Sequence, residues 1–438
     1  MKKLLLGIFI LLIFNTLFAQ EIYNVPAADK KTYNQYLKKD WKGLIKSGKK
    51  YLKKDIDFYF LRYRMGIAYY EQKKYAKAVK HFEKIHSENS KDPVINEYLY
   101  YSYLLSGKTG DARLLASSFN RELKEKLNIE TEYPFIRALY FSTIQNINEN
   151  YEYLPQAGEL VDQKTVLNES WYNLSLEHFV GKRVTIFHGY SRLKIVNKVR
   201  SSNSDYPSVF TENTDQNEYY FSMKYHIGKG TNITGGFHYL NSLYYVPVYI
   251  QIGRRTSLSY LYYFRKNSIA GSLKIDKSFS IFNTSLESSV SNLNEKLQIQ
   301  PAVALRIYPF SDTRFYSETK GIYQIEDDGI TKRYSPVFKQ TFGINFLKYS
   351  SLNTSVTYGD LLNYTTYNAF IANNDLDKTT LSADIYLNLG LAKGRFNIFL
   401  NYQYNQKENA FDINDTKQTK DYTNQIIAGG IKWYFKKY

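Results

Sequence analysis

From about Pro134 to the C-terminus, hydrophobic residues recur at every second position, and this change of period constrains the chain more than any other feature. A period of two means extended strands with two unlike faces. Tyr219, Phe221, Met223, Tyr225 and Ile227 alternate with Glu218, Ser222, Lys224 and His226. Leu297, Ile299, Val303, Leu305 and Ile307 alternate with Gln298, Gln300, Ala302, Ala304 and Arg306. The same alternation runs through Leu381–Leu387 and Phe396–Tyr402. A single such strand fits a half-buried soluble sheet equally well. Many in series, with no helix between them and no second apolar layer to pack on, point to an antiparallel barrel with lipid outside and water inside. The 44 Tyr and 27 Phe against 9 Pro fit the aromatic girdles of such a wall.

Connections sort into two classes. Short polar turns are expected at Gly181-Lys182, Gly228-Lys229-Gly230, Gly253-Arg254-Arg255, Asp276-Lys277-Ser278, Ser311-Asp312, Lys348-Tyr349-Ser350 and Ala392-Lys393-Gly394. Longer ones fall at 194–216, 325–333, 362–378 and 405–422. Short turns at the periplasmic end and longer loops outside are the pattern of bacterial barrels. Counting strands between them gives a transmembrane barrel of about 16 strands over residues 131–438, with about 14 as the fallback if the weakest strand, Phe135–Thr143, and one other are dropped. Strands of this number enclose an aqueous lumen. Its candidate lining residues are Glu177, Lys224, His226, Lys274, Glu287 and Arg306 on the earlier strands. Glu318, Lys320, Lys339, Asp384 and Lys432 follow on the later ones. Individually they read as braces within salt-bridged walls. Together their positive excess suits an anionic solute.

The N-terminal part has a different grammar. Lys2 and Lys3, the apolar run Leu4–Phe14 and the small residues before Gln20 read as a signal peptide over residues 1–19. Residues 20–130 then form an expected all-α periplasmic domain, helical in spacing from Asp29 to Lys126. Met65-Gly66-x-x-Tyr69, followed by Tyr75-x-x-Ala78-x-x-x-Phe82, resembles the tetratricopeptide (TPR) pattern, whose repeat is about 34 residues. One such step forward lands on Leu99, Tyr103 and Ala112; one step back lands on Trp41 and Leu44. Small Gly66 and Ala78 would let two helices approach while Tyr69, Tyr75 and Phe82 fill the space between them. The resemblance implies a periplasmic protein or peptide partner. Lys73, Lys74, Lys77 and Lys80 read first as a solvated helix face.

Chemistry is sparse. No cysteine occurs, which excludes disulfides and thiolate metal sites. The six histidines form no base–nucleophile–orienter set, and no Gly-x-Ser-x-Gly is present. Reflecting the chain about Gly228–Gly230 places His226 opposite Asn232 and His238 opposite Tyr220. Glu326-Asp327-Asp328-Gly329 reads as an acidic turn rather than a calcium site. No catalytic site, cofactor or metal is expected. The net charge of +17 would suggest nucleic acid in a cytoplasmic protein, but in an exported chain without a recognition motif it suits anionic lipid, glycan or solute.

A signal peptide, TPR-like repeats and a C-terminal barrel ending in aromatics (Trp433, Phe435, Tyr438) are together similar to the TPR–barrel outer-membrane proteins. These include the export porins for cellulose and poly-N-acetylglucosamine and the YaiO-type proteins. The resemblance implies the outer membrane of a Gram-negative bacterium and a channel or export pore for an anionic solute or polysaccharide. A non-conducting anchoring scaffold and a lipid-modifying enzyme are the alternative expectations.

Overall fold

The computed structural model describes residues 24–129, 134–202, 208–251, 257–372 and 377–435. The expected signal peptide, the Gly253–Arg255 turn and the last three residues lie outside the described residues. Two compact units divide between Ser102 and Tyr103.

The first unit is a run of helices: α1 (Val25–Leu37), α2 (Trp41–Leu52), α3 (Tyr59–Glu71), α4 (Tyr75–Glu88) and the start of α5 (Pro93–Leu105). Short side chains begin three of them, α1, α2 and α5. Asn24 accepts from Ala27 N at 2.8 Å, Asp40 from Gly43 N at 2.9 Å, and Asp92 from Val94 N at 2.9 Å, each satisfying an orphan amide of a first turn. In α2, Leu44, Ile45, Gly48 and Tyr51 are buried at helical spacing, and in α4 Ala78, Val79, Phe82 and Ile85 repeat the pattern. Of the positions singled out above, Leu44, Met65, Gly66, Tyr69, Ala78, Phe82 and Leu99 are buried, whereas Trp41 and Tyr75 are half-buried. Gly66 sits so close to the Phe82 ring that a Cβ would fall 2.6 Å from it. Buried Arg64 ties α3 to α1 through Asp29 Oδ1 at 2.8 Å and Thr32 Oγ1 at 3.0 Å.

His81 is buried, stacked on Tyr69 at 5.3 Å and faced by Arg62, Lys80 and Asp57. Burial first, then the nearby Arg62 and Lys80 charges, holds its imidazole down at about 4. The unfolded chain therefore binds more protons between that value and about 6.5, so stability is fully present above about 6.5 and falls as pH drops toward 4. A loss of about 2–3 kcal/mol from this group is expected between pH 7.5 and 4.5. Urea titration of the full chain in detergent, followed by helical circular dichroism, would check it. His81→Phe should flatten the dependence, and an unchanged wild-type midpoint would count against the assignment.

The second unit opens with the end of α5, α6 (Thr109–Ala116) and α7 (Arg121–Lys126), so Tyr103 and Ala112, both buried, group with the barrel. The strands follow: β1 (Ile136–Asn148), β2 (Val161–Val180), β3 (Val184–Ser201), β4 (Ser208–Gly228), β5 (Thr231–Gln251) and β6 (Ser257–Phe279). After them come β7 (Phe282–Ser291), β8 (Leu297–Ile307), β9 (Phe315–Asp327), β10 (Lys332–Leu347) and β11 (Ser350–Gly359). A two-residue ladder of β12 (Thr365–Thr366) and β13 (Ile371–Ala372) precedes β14 (Lys378–Leu391), β15 (Phe396–Ile413) and β16 (Thr416–Tyr434). All but the ladder form one closed antiparallel barrel of 14 strands, sealed where β1 meets β16 at Leu139↔Trp433 and Phe141↔Ile431.

The count is therefore 14, not 16. The stretch opening at Phe135–Thr143, doubted above, is a true strand; the excess came from elsewhere. β5 and β6 are single strands of 21 and 23 residues, and a turn of the short class at Gly253–Arg255 would have split each in two. A bilayer needs only about 9–11 residues per tilted strand, so these two extend well past it. Other boundaries move for related reasons. Residues 405–422 are not a loop but the top of the β15–β16 hairpin, reversed by Asn414 and Asp415 at φ 49° and 62°. In 194–216, β3 runs to Ser201 and β4 resumes at Ser208; 325–333 is a tight turn whose Asp328 accepts from Thr331 N at 2.7 Å. Asp276–Ser278 remains in β6, and the reversal falls at Ser280 with φ 49°.

The wall is inverted relative to a soluble protein. Leu297, Val303 and Leu305 on β8 are exposed, while Gln298 and Gln300 on the same strand are 0% and 4% exposed. Tyr219, Phe221 and Met223 on β4 face outward, while Gln216, Glu218 and His226 are buried. Such a surface is stable only where the outside solvent is itself apolar. No described helix is long and apolar enough to cross a membrane.

Candidate functional site: the lumen and its constrictions

Polar residues on the inner face pair across neighbouring strands or over one intervening strand. Lys320 meets Glu287 at 2.7 Å and Arg306 meets Glu318 at 2.7 Å. Glu177 gathers Arg137, the Tyr140 hydroxyl and, at 3.7 Å, Lys432. Asp384 accepts from the Ser355 hydroxyl, and Lys339 lies over the Tyr367 ring at 5.6 Å. Lys224 and Lys274 have no ion-pair partner among the described residues. The paired lining residues thus form separate braces around the wall rather than one cluster, and Lys224 and Lys274 stand outside them. Opposite charges held this way avoid the cost of an unpaired buried ion.

The register read from the Gly228–Gly230 turn is the observed one, with His226↔Asn232 and Tyr220↔His238. His226 does more than line the wall. Its Nδ1 lies 2.7 Å from Asn232 Oδ1 and its Nε2 3.1 Å from Asp111 on α6. Asp111 Oδ2 also accepts from Gly230 N at 2.7 Å, so one carboxylate holds α6 to the β4–β5 turn. A Cβ on Gly110 would fall 2.5 Å from His226 Nδ1, so this approach requires glycine. Arg113 stacks over Phe179 of β2 at 4.2 Å, and Gly107 sits against Thr313 between β8 and β9. Residues 107–113 therefore touch three separated parts of the rim at the short-turn end.

The second constriction is the 362–378 connection, expected to be an external loop. Its described part instead folds into the barrel. Asn363 donates to Glu326 at 2.6 Å, Thr365 bonds Ser289 at 2.8 Å, and the Asn368 and Ala369 carbonyls accept from Tyr220 at 3.1 Å and meet His238 Nδ1 at 2.9 Å. Leu361 and Tyr364 pack with Ile322 and Val337, and Phe370 meets Tyr220 edge-on at 4.9 Å. A hint was present: Leu361, Leu362, Tyr364, Phe370 and Ile371 are too apolar for a solvated loop. Arg137, Tyr140 and Asp111 carried no comparable signal, because their roles depend on distant partners. At the rim, β15 also pairs with β2 at Asp412↔Asp162 and Ile413↔Val161, although β1 and β16 separate them in strand order.

Between the inward loop and the wall lies a cavity of about 870 Å³. Tyr367, Phe370 and Ile371 form part of its boundary, with Trp171, Tyr386 and Lys432 contributed by the barrel strands.

No family model and no curated protein matches this sequence. Among solved structures, a Pseudomonas aeruginosa FadL homologue aligns with a TM-score of 0.44 and 8% identity, over 68% of this chain and 91% of that one. The P. putida toluene transporter TodX aligns at 0.43 and 6%, covering 70% and 91%. The translocator domain of the autotransporter NalP from Neisseria meningitidis aligns at 0.34 and 10%, covering 76% and 98%. With identities and scores this low, the architecture rests on the strand pairing itself.

Proposed function

We propose that this chain is an outer-membrane channel of a Gram-negative bacterium, held narrow here by the inward loop and by α6. The observation that carries the reading is the inverted wall: exposed apolar side chains outside, and buried or ion-paired polar ones on the inner face. The short-turn end, where β1 begins and β16 ends, then faces the periplasm. The helices preceding β1 act as a TPR-like scaffold on that side, docking a periplasmic protein or peptide. The net charge of +17 favours anionic solutes at the entrance. Reconstitution of the full chain in planar bilayers tests this. Small, anion-preferring conductance steps are expected; no steps from the wild type or from loop-shortened variants would end the channel reading.

The two constrictions favour one competing reading, a non-conducting anchor whose barrel serves only to hold the helical unit at the membrane. In that case, deleting the gene would leave solute permeability unchanged while cross-linking through the helical unit still recovered a stable complex.

A further inference from the structure

We infer that the 870 Å³ lumen cavity is a binding site for an aromatic carboxylate. The inference rests on the channel reading above and names the solute class. Ten of the cavity's 25 bordering residues are aromatic and only Ile144, Ile371 and Ala428 are aliphatic, which selects a flat ring over an alkyl chain. The volume lies within the roughly 300–1,000 Å³ of small-molecule sites.

The charge is as selective as the shape. Arg137, Lys393 and Lys432 border the cavity, and among the described residues no carboxylate does. Glu177 stands behind Arg137 and Lys432, whereas Lys393 has no ion-pair partner among the described residues. Lys432 Nζ is 4.4 Å from the centroids of both Tyr140 and Tyr434, which fixes the ammonium among ring faces at the cavity edge. A bound carboxylate would meet this surplus of positive charge while its ring stacks on Trp171, Phe370 or Tyr386. Asn401, whose buried Oδ1 has no hydrogen-bond partner among the described residues, offers an amide oxygen to a ring substituent.

Calorimetric titration of the full-length protein in detergent with 2-naphthoate tests the assignment. Benzyl alcohol supplies a ring without charge, octanoate charge without a ring, and glucuronate a charged ring with no aromatic face. Saturable naphthoate binding is expected, at least about tenfold tighter than each control. Lys432→Met should weaken naphthoate about tenfold and leave benzyl alcohol unchanged. Lys393→Gln, on an exposed turn where folding is not at risk, should weaken it several-fold. Octanoate or glucuronate binding as tightly as naphthoate, or naphthoate affinity unmoved in both variants, overturns the inference. A barrel that conducts but does not bind naphthoate defeats this inference alone. One that binds naphthoate but never conducts defeats only the channel.

Discussion

Replacing residues 364–371 with three glycines is expected to raise single-channel conductance on the order of fivefold, the largest change any substitution in this barrel should produce. The excision removes the bond of Thr365 to Ser289, the carbonyls held by Tyr220 and His238, and the Phe370 ring. It leaves the wall intact, because β11 pairs directly with β14 from Ser351↔Asn388 to Tyr358↔Leu381. The lumen then widens toward the section a 14-strand barrel encloses by itself. Planar-bilayer recording, with heat-modifiable gel migration as the control for folding, reads the result. Conductance equal to wild type in a folded variant would mean that the inward loop does not limit the path.

The second large effect concerns α6. Asp111→Ala removes the carboxylate that links this helix to both His226 and the Gly230 amide. Losing two buried hydrogen bonds to a charged acceptor should weaken the attachment by about 3 kcal/mol, which is a change of more than a hundredfold in the attached-to-released ratio. The expected observation is a rise in open probability with unchanged unitary conductance in the open state. Gly110→Leu reaches the same end by a different route, since its side chain must displace the His226 ring. If both variants behave as wild type, α6 is a passive passenger at the rim.

What could be read from the residues follows from the range of the interactions involved. Alternation on β4 and β8 is a property of consecutive residues, so the strands and their inner faces were visible at once. The His226↔Asn232 register followed from a turn only a few residues away. Strand number was not local in the same sense. Whether Thr231–Gln251 is one strand or two depends on whether Gln251 pairs with Ser257, and pairing partners leave no mark in the spacing. The hairpin at Asn414-Asp415 did leave one, an Asx pair suited to positive φ, but the polar residues around it masked it as a loop. The inward loop is the extreme case. Its anchors, Glu326, Ser289, Tyr220 and His238, come from four strands, and only the closed barrel brings them within reach.

The seam at Leu139↔Trp433 has a consequence for how the molecule is made. The first strand waits for the last, so the closing contact joins opposite ends of the barrel segment and carries the greatest loop-closure entropy of any pairing in the wall. Until β16 arrives, β1 presents an open ladder of amides and carbonyls beside an apolar face, a combination prone to pairing with other chains. Assembly should therefore be slow and all-or-none, with truncations near Trp433 yielding aggregates rather than smaller barrels.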